Sequence, residues 1–220
     1  MRLPILLLLI TITSGLLGQV PGFLGKRLTI LGGAYVSPSI GPAATGIVNV
    51  FPTLEVDYTV GRHASLGVEL SSMKVDVKMD FDKNLEESED NQYKYDLKSK
   101  MVSFNYTRYS TFKNDYIAPV GAYFSIGASI IGYDVTDTKG LVFEPGKKFF
   151  EGTTYGLSLS VGKKKIYFRR LVFDYGLKGS YISALNGNVS DQMAAFYYPA
   201  INRIQASSSL QLKLRLGWLL

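Results

Sequence analysis

Residues 207–220 read SSSLQLKLRLGWLL. Leu210, Leu212, Leu214, Leu216, Trp218 and Leu220 fall on one side of an extended chain, and Ser209, Gln211, Lys213, Arg215 and Gly217 on the other. Successive side chains of a β-strand point to opposite faces, so this period-2 pattern predicts a strand with one long, unbroken apolar face.

The same two-faced pattern recurs upstream. Val120, Ala122, Phe124, Ile126, Ala128 and Ile130 alternate with Gly121, Tyr123, Ser125, Gly127 and Ser129. Tyr155, Leu157, Leu159 and Val161 alternate with Gly156, Ser158, Ser160 and Gly162. Further strands are expected around residues 54–60, 66–70, 102–106 and 171–177, with a weaker first one at 26–36. That makes about eight strands of roughly ten residues each, apolar on one face and polar on the other, which is the signature of a transmembrane β-barrel. A closed barrel is the one all-strand structure that satisfies its backbone within a bilayer. A soluble barrel with its apolar face inside is the competing arrangement. The Gly- and Ser-rich polar face fits a narrow interior better than a water-facing exterior.

Connection lengths agree with an up-and-down barrel. Residues 61–63, 111–118 and 163–169 read as short turns, and 37–49, 82–94, 134–152 and 185–205 as long loops. Short turns face the periplasm in such barrels and long loops face outside. An even strand number then puts both ends of the barrel in the periplasm.

One irregularity locates the expected membrane boundary. Leu66, Val68 and Leu70 are apolar at even positions; beyond Ser71-Ser72 the apolar positions become odd, at Met73, Val75, Val77, Met79 and Phe81. Residues 93–101 mirror this, and even positions resume at Val102. Either each strand carries a bulge, or the outer face leaves lipid for water while the inner face becomes an apolar core. The second reading predicts a boundary at 71–72 and 101–102 and an extended extracellular hairpin capped by the acidic tip Glu86-Glu87-Ser88-Glu89-Asp90.

These segments resemble the small eight-stranded outer-membrane barrels of Gram-negative bacteria, the class that includes the barrel domain of outer membrane protein A. The terminal SSSLQLKLRLGWLL is the most specific piece of the resemblance, which otherwise is one of architecture across nearly all of residues 19–220. It implies an all-β, eight-stranded, antiparallel up-and-down transmembrane barrel. No peptidoglycan-binding domain follows, so a wall-tethering role is not expected.

Export is expected from the N-terminus. Met1-Arg2 is followed by an apolar run from Leu3 to Ile12 and then by Ser14, Gly15 and Gly18, the pattern of a secretory signal. Residues 1–18 read as that signal and 19–220 as the barrel. The run is too short for a membrane-spanning helix, which needs about 20 residues.

Composition narrows the chemistry. The 220 residues contain no cysteine and one histidine, with a net charge of +6. A disulfide framework, a thiol nucleophile and a cysteine-ligated metal are excluded. No phosphate loop, EF-hand or zinc spacing is present, and no cofactor is expected. The positive charge fits an anionic partner, but nucleic acid does not suit an exported barrel. His63 is the only imidazole and lies in the turn Gly61-Arg62-His63, on the side away from the outer leaflet, so the chain is not expected to be an enzyme.

Two groups of residues are candidates for function. Glu55, Asp57, Glu69 and Asp174 fall on inward positions with Arg27, Arg170, Lys178, Lys213 and Arg215. Eight strands leave an interior just wide enough for side chains, so these charges are expected to form paired clusters rather than an ion path. The second group is Ile40, Ile47, Phe196, Tyr197 and Tyr198, in loops 37–49 and 185–205. Both loops carry little charge and meet at barrel closure. They either dock another protein or fold over the barrel mouth. The function expected is a structural or protein-interaction subunit of the outer membrane, accessory to a larger assembly such as a secretion translocon. The alternative is a small transporter or passive conduit for hydrophobic solutes, using the Gly-rich inner faces of the fifth and sixth strands.

Overall fold

A computed structural model describes residues 22–39, 47–78, 94–110, 117–137, 146–183 and 191–220. Eight strands form one closed antiparallel barrel in chain order: β1 (Leu28–Pro38), β2 (Val48–Gly61), β3 (Ala64–Lys78), β4 (Lys94–Tyr109), β5 (Gly121–Thr136), β6 (Lys148–Tyr167), β7 (Leu171–Ser183) and β8 (Gln211–Leu219). β1 closes on β8, with Ile30 opposite Trp218 and Tyr35 opposite Lys213. Closure leaves no unpaired strand edge. The signal expected at 1–18, Ile40 and the acidic hairpin tip lie outside the described residues.

The alternation reads as expected, with the apolar face outward. Ile126, Ile130, Leu157, Leu159, Leu212 and Leu216 are exposed around the wall, while Ser125, Ser129, Ser158, Ser160, Lys213 and Arg215 are buried. β3 and β4 resolve the parity change. Their register runs unshifted from Ala64 opposite Arg108 to Lys78 opposite Lys94. There is no bulge at 71–72 or 101–102. Met73, Val75, Val77, Tyr95 and Leu97 simply continue the inward face and are buried, while Lys74, Lys98 and Lys100 continue the outward face. Lys74 pairs there with Asp96 at 3.0 Å, and this exposed ion pair raises the pKa of Lys74.

Two expectations are corrected. The loop expected at 185–205 contains a helix, α1 (Asp191–Ser208), with Pro199 inside it. α1 packs into the barrel mouth against β7, β3 and β1. Its buried residues Tyr197, Ala200, Ile201 and Ile204 repeat at helical spacing, and they join Tyr35, Phe51, Val75, Leu97 and Tyr133 in the main apolar core. That i, i+3, i+4, i+7 spacing was present in the sequence, but Pro199 masked it, since proline removes a helical hydrogen bond. The turn expected at 163–169 is also shorter. β6 runs on to Tyr167 and the reversal is confined to 168–170.

The interior is therefore layered along the barrel axis. The α1 core fills the end with the long connections. Charged residues occupy the middle. At the opposite end, Leu31, Val172 and Leu219 form one small apolar cluster, and Tyr109, Ala118 and Tyr123 another.

Candidate functional site

The middle layer is built from both sides of the closure. Arg215 on β8 stands opposite Asp174 on β7, and its Nη2 lies 2.6 Å from Asp174 Oδ2. Its Nη1 pairs with Glu55 and lies 3.1 Å from Glu69 Oε2. Each carboxylate then has a second cation. Lys178 Nζ is 2.7 Å from Glu69 Oε1, and Lys213 Nζ is 3.5 Å from Asp174 Oδ2. Lys164 Nζ is 2.5 Å from Asp57 Oδ2 and 3.9 Å from Glu55 Oε1. Four carboxylates and four cations form one connected, charge-balanced cluster in which every side chain is at most 4% exposed.

Tyrosines line the cluster. Tyr35 donates to Glu69, Tyr123 donates to Asp174 Oδ1 at 2.8 Å, and the Tyr35 ring lies under Lys178 Nζ at 4.7 Å. Buried charges are tolerated only when paired and hydrogen-bonded; here each charge is paired, and Asp57 Oδ1 is the one buried carboxylate oxygen of the cluster without a hydrogen-bond partner. The facing wall makes room for these long side chains: Ser103, Thr107, Ser125, Gly127 and Ser129 line the inner faces of β4 and β5. A Cβ at Gly127 would sit 2.3 Å from Asn105 Oδ1 and 2.7 Å from Ser158 Oγ.

Seven of the nine residues expected on inward positions are in the network: Glu55, Asp57, Glu69, Asp174, Lys178, Lys213 and Arg215. Arg27 is not. It precedes β1, so strand parity does not govern it, and its Nη1 reaches the exposed hydroxyl of Tyr58 at 3.4 Å. Arg170, also expected inward, is exposed in the 168–170 turn. Lys164 is the residue that sequence reading misplaced. Lys163, Lys164 and Lys165 fall within the turn expected at 163–169, read as solvated or in contact with phospholipid headgroups, yet the alternation of β6 continues through them and puts Lys164 on the same inner face as Ser158 and Ser160.

α1 is fastened as well as packed. Gln205 donates to the Ser180 carbonyl at 2.9 Å and accepts from the Ile182 amide at 2.5 Å. Arg203 Nε donates to the Asp76 carbonyl at 2.9 Å, and burial lowers its pKa. Burial also raises the Tyr133 hydroxyl, with Tyr197 adding to the effect. Of the residues expected to dock a partner, Tyr197 is 2% exposed and belongs to this lid, which corrects that placement. Its ring meets Tyr198 edge-on at 5.4 Å. Tyr198 and Ile47 do face outward. The side chain of Phe196 lies outside the described residues. His63 sits in the β2–β3 turn, where its carbonyl accepts from the Tyr109 amide. Among the described residues, no group of His, Asp and Glu is arranged to hold a metal, and no helix is long and apolar enough to cross a membrane.

The chain folds as a closed eight-stranded antiparallel up-and-down barrel. No family model and no curated protein matches its sequence. Among solved structures it is similar to the N-terminal β-barrel domain of Pseudomonas aeruginosa OprF, at 8% identity over 89% of this chain and 98% of that one, with a TM-score of 0.48. It is also similar to Ail, the attachment invasion locus protein of Yersinia pestis, solved in complex with the heparin analogue sucrose octasulfate (10% identity, 89% and 97% covered, TM-score 0.45). A third is Neisserial surface protein A (17% identity, 87% and 90% covered, TM-score 0.43). At these identities the likeness is one of fold.

Proposed function

We propose that this barrel resides in the bacterial outer membrane, with its long connections outside and its short turns in the periplasm, and acts there as a non-enzymatic structural or protein-interaction subunit. The observation that carries the reading is the filled interior. A charge-balanced network occupies the middle of the barrel and α1 occupies its mouth, so the fold spends its interior on rigidity rather than on a path. The outward apolar wall supports placement in lipid. Its partner is another outer-membrane component, reached through outward side chains such as Ile47 and Tyr198; a secretion assembly is one such setting.

Two measurements test this. In planar bilayers the purified barrel is expected to give no steady conductance, and steady channels would replace the reading with the conduit for solutes. Purification from the native membrane in mild detergent is expected to bring down a stoichiometric protein partner, and a barrel that purifies alone would overturn the subunit reading.

A further inference from the structure

The end of the barrel bearing the short turns is surrounded by cations. Down the outward face of β2 the order is Val56, Tyr58, Val60, then Arg62 in the turn; down β4 it is Phe104, Tyr106, Arg108; down β6 it is Leu159, Val161, Lys163, Lys165. Each apolar column thus ends in a positive charge at the same end of the barrel. Near the closure, Lys26 Nζ lies 3.2 Å from the Leu219 carbonyl, and Arg169 and Arg170 occupy the β6–β7 turn. Among the described residues no exposed Asp or Glu side chain lies at this end: Asp57 and Asp174 are inside the barrel and already paired.

The β6–β7 turn adds an independent observation. Phe168 and Arg169 have φ of 51° and 64°, and the Arg170 amide donates to the Tyr167 carbonyl at 3.1 Å. Within the three-residue connection 168–170 this makes a β-turn whose two central residues are both left-handed, a conformation that strongly favours Asn-Gly. A bulky residue in that conformation is an outlier, and an outlier held in place points to a use for its side chain. Here the Phe168 side chain is 92% exposed. An aromatic ring beside a cluster of cations fits the boundary between acyl chains and headgroups.

We propose that this cationic rim binds the phosphate headgroups of anionic phospholipids in the periplasmic leaflet, with Lys26, Arg169 and Arg170 forming one headgroup site at the barrel closure and Phe168 anchored beside it. This rests on the membrane placement proposed above. Among the described residues the exposed side chains of this rim carry cations and no Asp or Glu, a balance that attracts an anionic lipid over a zwitterionic one. Continuity with the apolar wall selects a lipid over a soluble anion, because the same ligand must cover the apolar residues directly above each cation.

Trp218, the only tryptophan, reports on this site. It faces outward on β8 beside Leu171 of β7 and Ile30 of β1, next to the turn that carries Arg169 and Arg170. The folded barrel is reconstituted in phosphocholine vesicles containing a fixed fraction of lipid with brominated chains, bearing either a phosphoglycerol or a phosphocholine headgroup. Brominated phosphoglycerol is expected to compete for the Trp218 site about two-fold or more better than brominated phosphocholine. The preference is expected to fall as salt is raised and to vanish in the triple variant Lys26→Gln, Arg169→Gln, Arg170→Gln. Folding of the variant is checked by heat-modifiable migration, and the salt titration on the unaltered barrel tests the proposal independently of that variant. Equal quenching by the two lipids, or a preference that persists in high salt, overturns the rim as an anionic-lipid site. Absence of quenching by either lipid would instead overturn the membrane placement itself.

Discussion

Arg215 and Asp174 face each other across the β7–β8 pair, and two guanidinium nitrogens, Nη2 at 2.6 Å and Nε at 3.0 Å, converge on the same carboxylate oxygen. The pair lies at the junction of the chain's last two strands, so the network that fills the barrel is completed only when β8 is in place. The other Arg215 contacts, Glu55 on β2 and Glu69 on β3, lie across the interior. One side chain therefore ties the end of the chain to its first half.

Arg215→Met should consequently be far more damaging than its conservative size suggests. It leaves Glu55, Glu69 and Asp174 short of a cation in a buried site, a loss of about 3–5 kcal/mol. Urea unfolding followed by Trp218 fluorescence checks this. Adding Asp174→Asn to Arg215→Met should recover part of the loss, so the two effects should be less than additive.

The lid and the wall should separate under mutation. Ile201→Ala and Ile204→Ala remove buried side chains from the α1 core, each costing about 2–5 kcal/mol of lid packing. The barrel strands keep their hydrogen bonds, so heat-modifiable migration should persist. Limited proteolysis should cut within 191–208 many times faster than in the unaltered protein. A barrel lost together with the lid would show that α1 is part of one cooperative unit with the wall.

Arginine scanning should map the bilayer. Val68 and Leu159 face outward in the apolar wall, so Val68→Arg and Leu159→Arg should each cost about 2–4 kcal/mol if the site lies near the midplane. Lys100→Glu, on the same outward face of the β3–β4 hairpin but beyond the parity change, should cost about 0–1 kcal/mol. Folding yield into lipid vesicles reads the difference, and equal tolerance at all three positions would count against the bilayer placement.

Orientation is testable at two exposed sites. Ile47 is 90% exposed at the end with the long connections, and Phe168 is at the opposite end. An impermeant maleimide on intact cells should label Ile47→Cys, and should label Phe168→Cys only after the outer membrane is permeabilised. Lys164, although within a run of three lysines, is buried against Asp57 and is no surface marker.

The strand count, the apolar-outward alternation and the continuation of β3 and β4 beyond the apolar wall were legible from the sequence, because a pleated strand sorts its side chains by parity and a barrel wall keeps that parity from end to end. The charges on inward positions were legible for the same reason. Parity states which face a side chain takes, but not what it meets across the interior. The joining of Arg215 to Glu55 and Glu69, and the rescue of Lys164 from an apparent turn by its contact with Asp57, depend on how barrel closure brings strands that are distant in sequence within reach. The helix α1 was likewise decided by tertiary structure. Its weakly apolar stripe, interrupted by Pro199, gains its stability from the ring of Tyr35, Phe51, Val75 and Leu97 that only the closed barrel assembles around it.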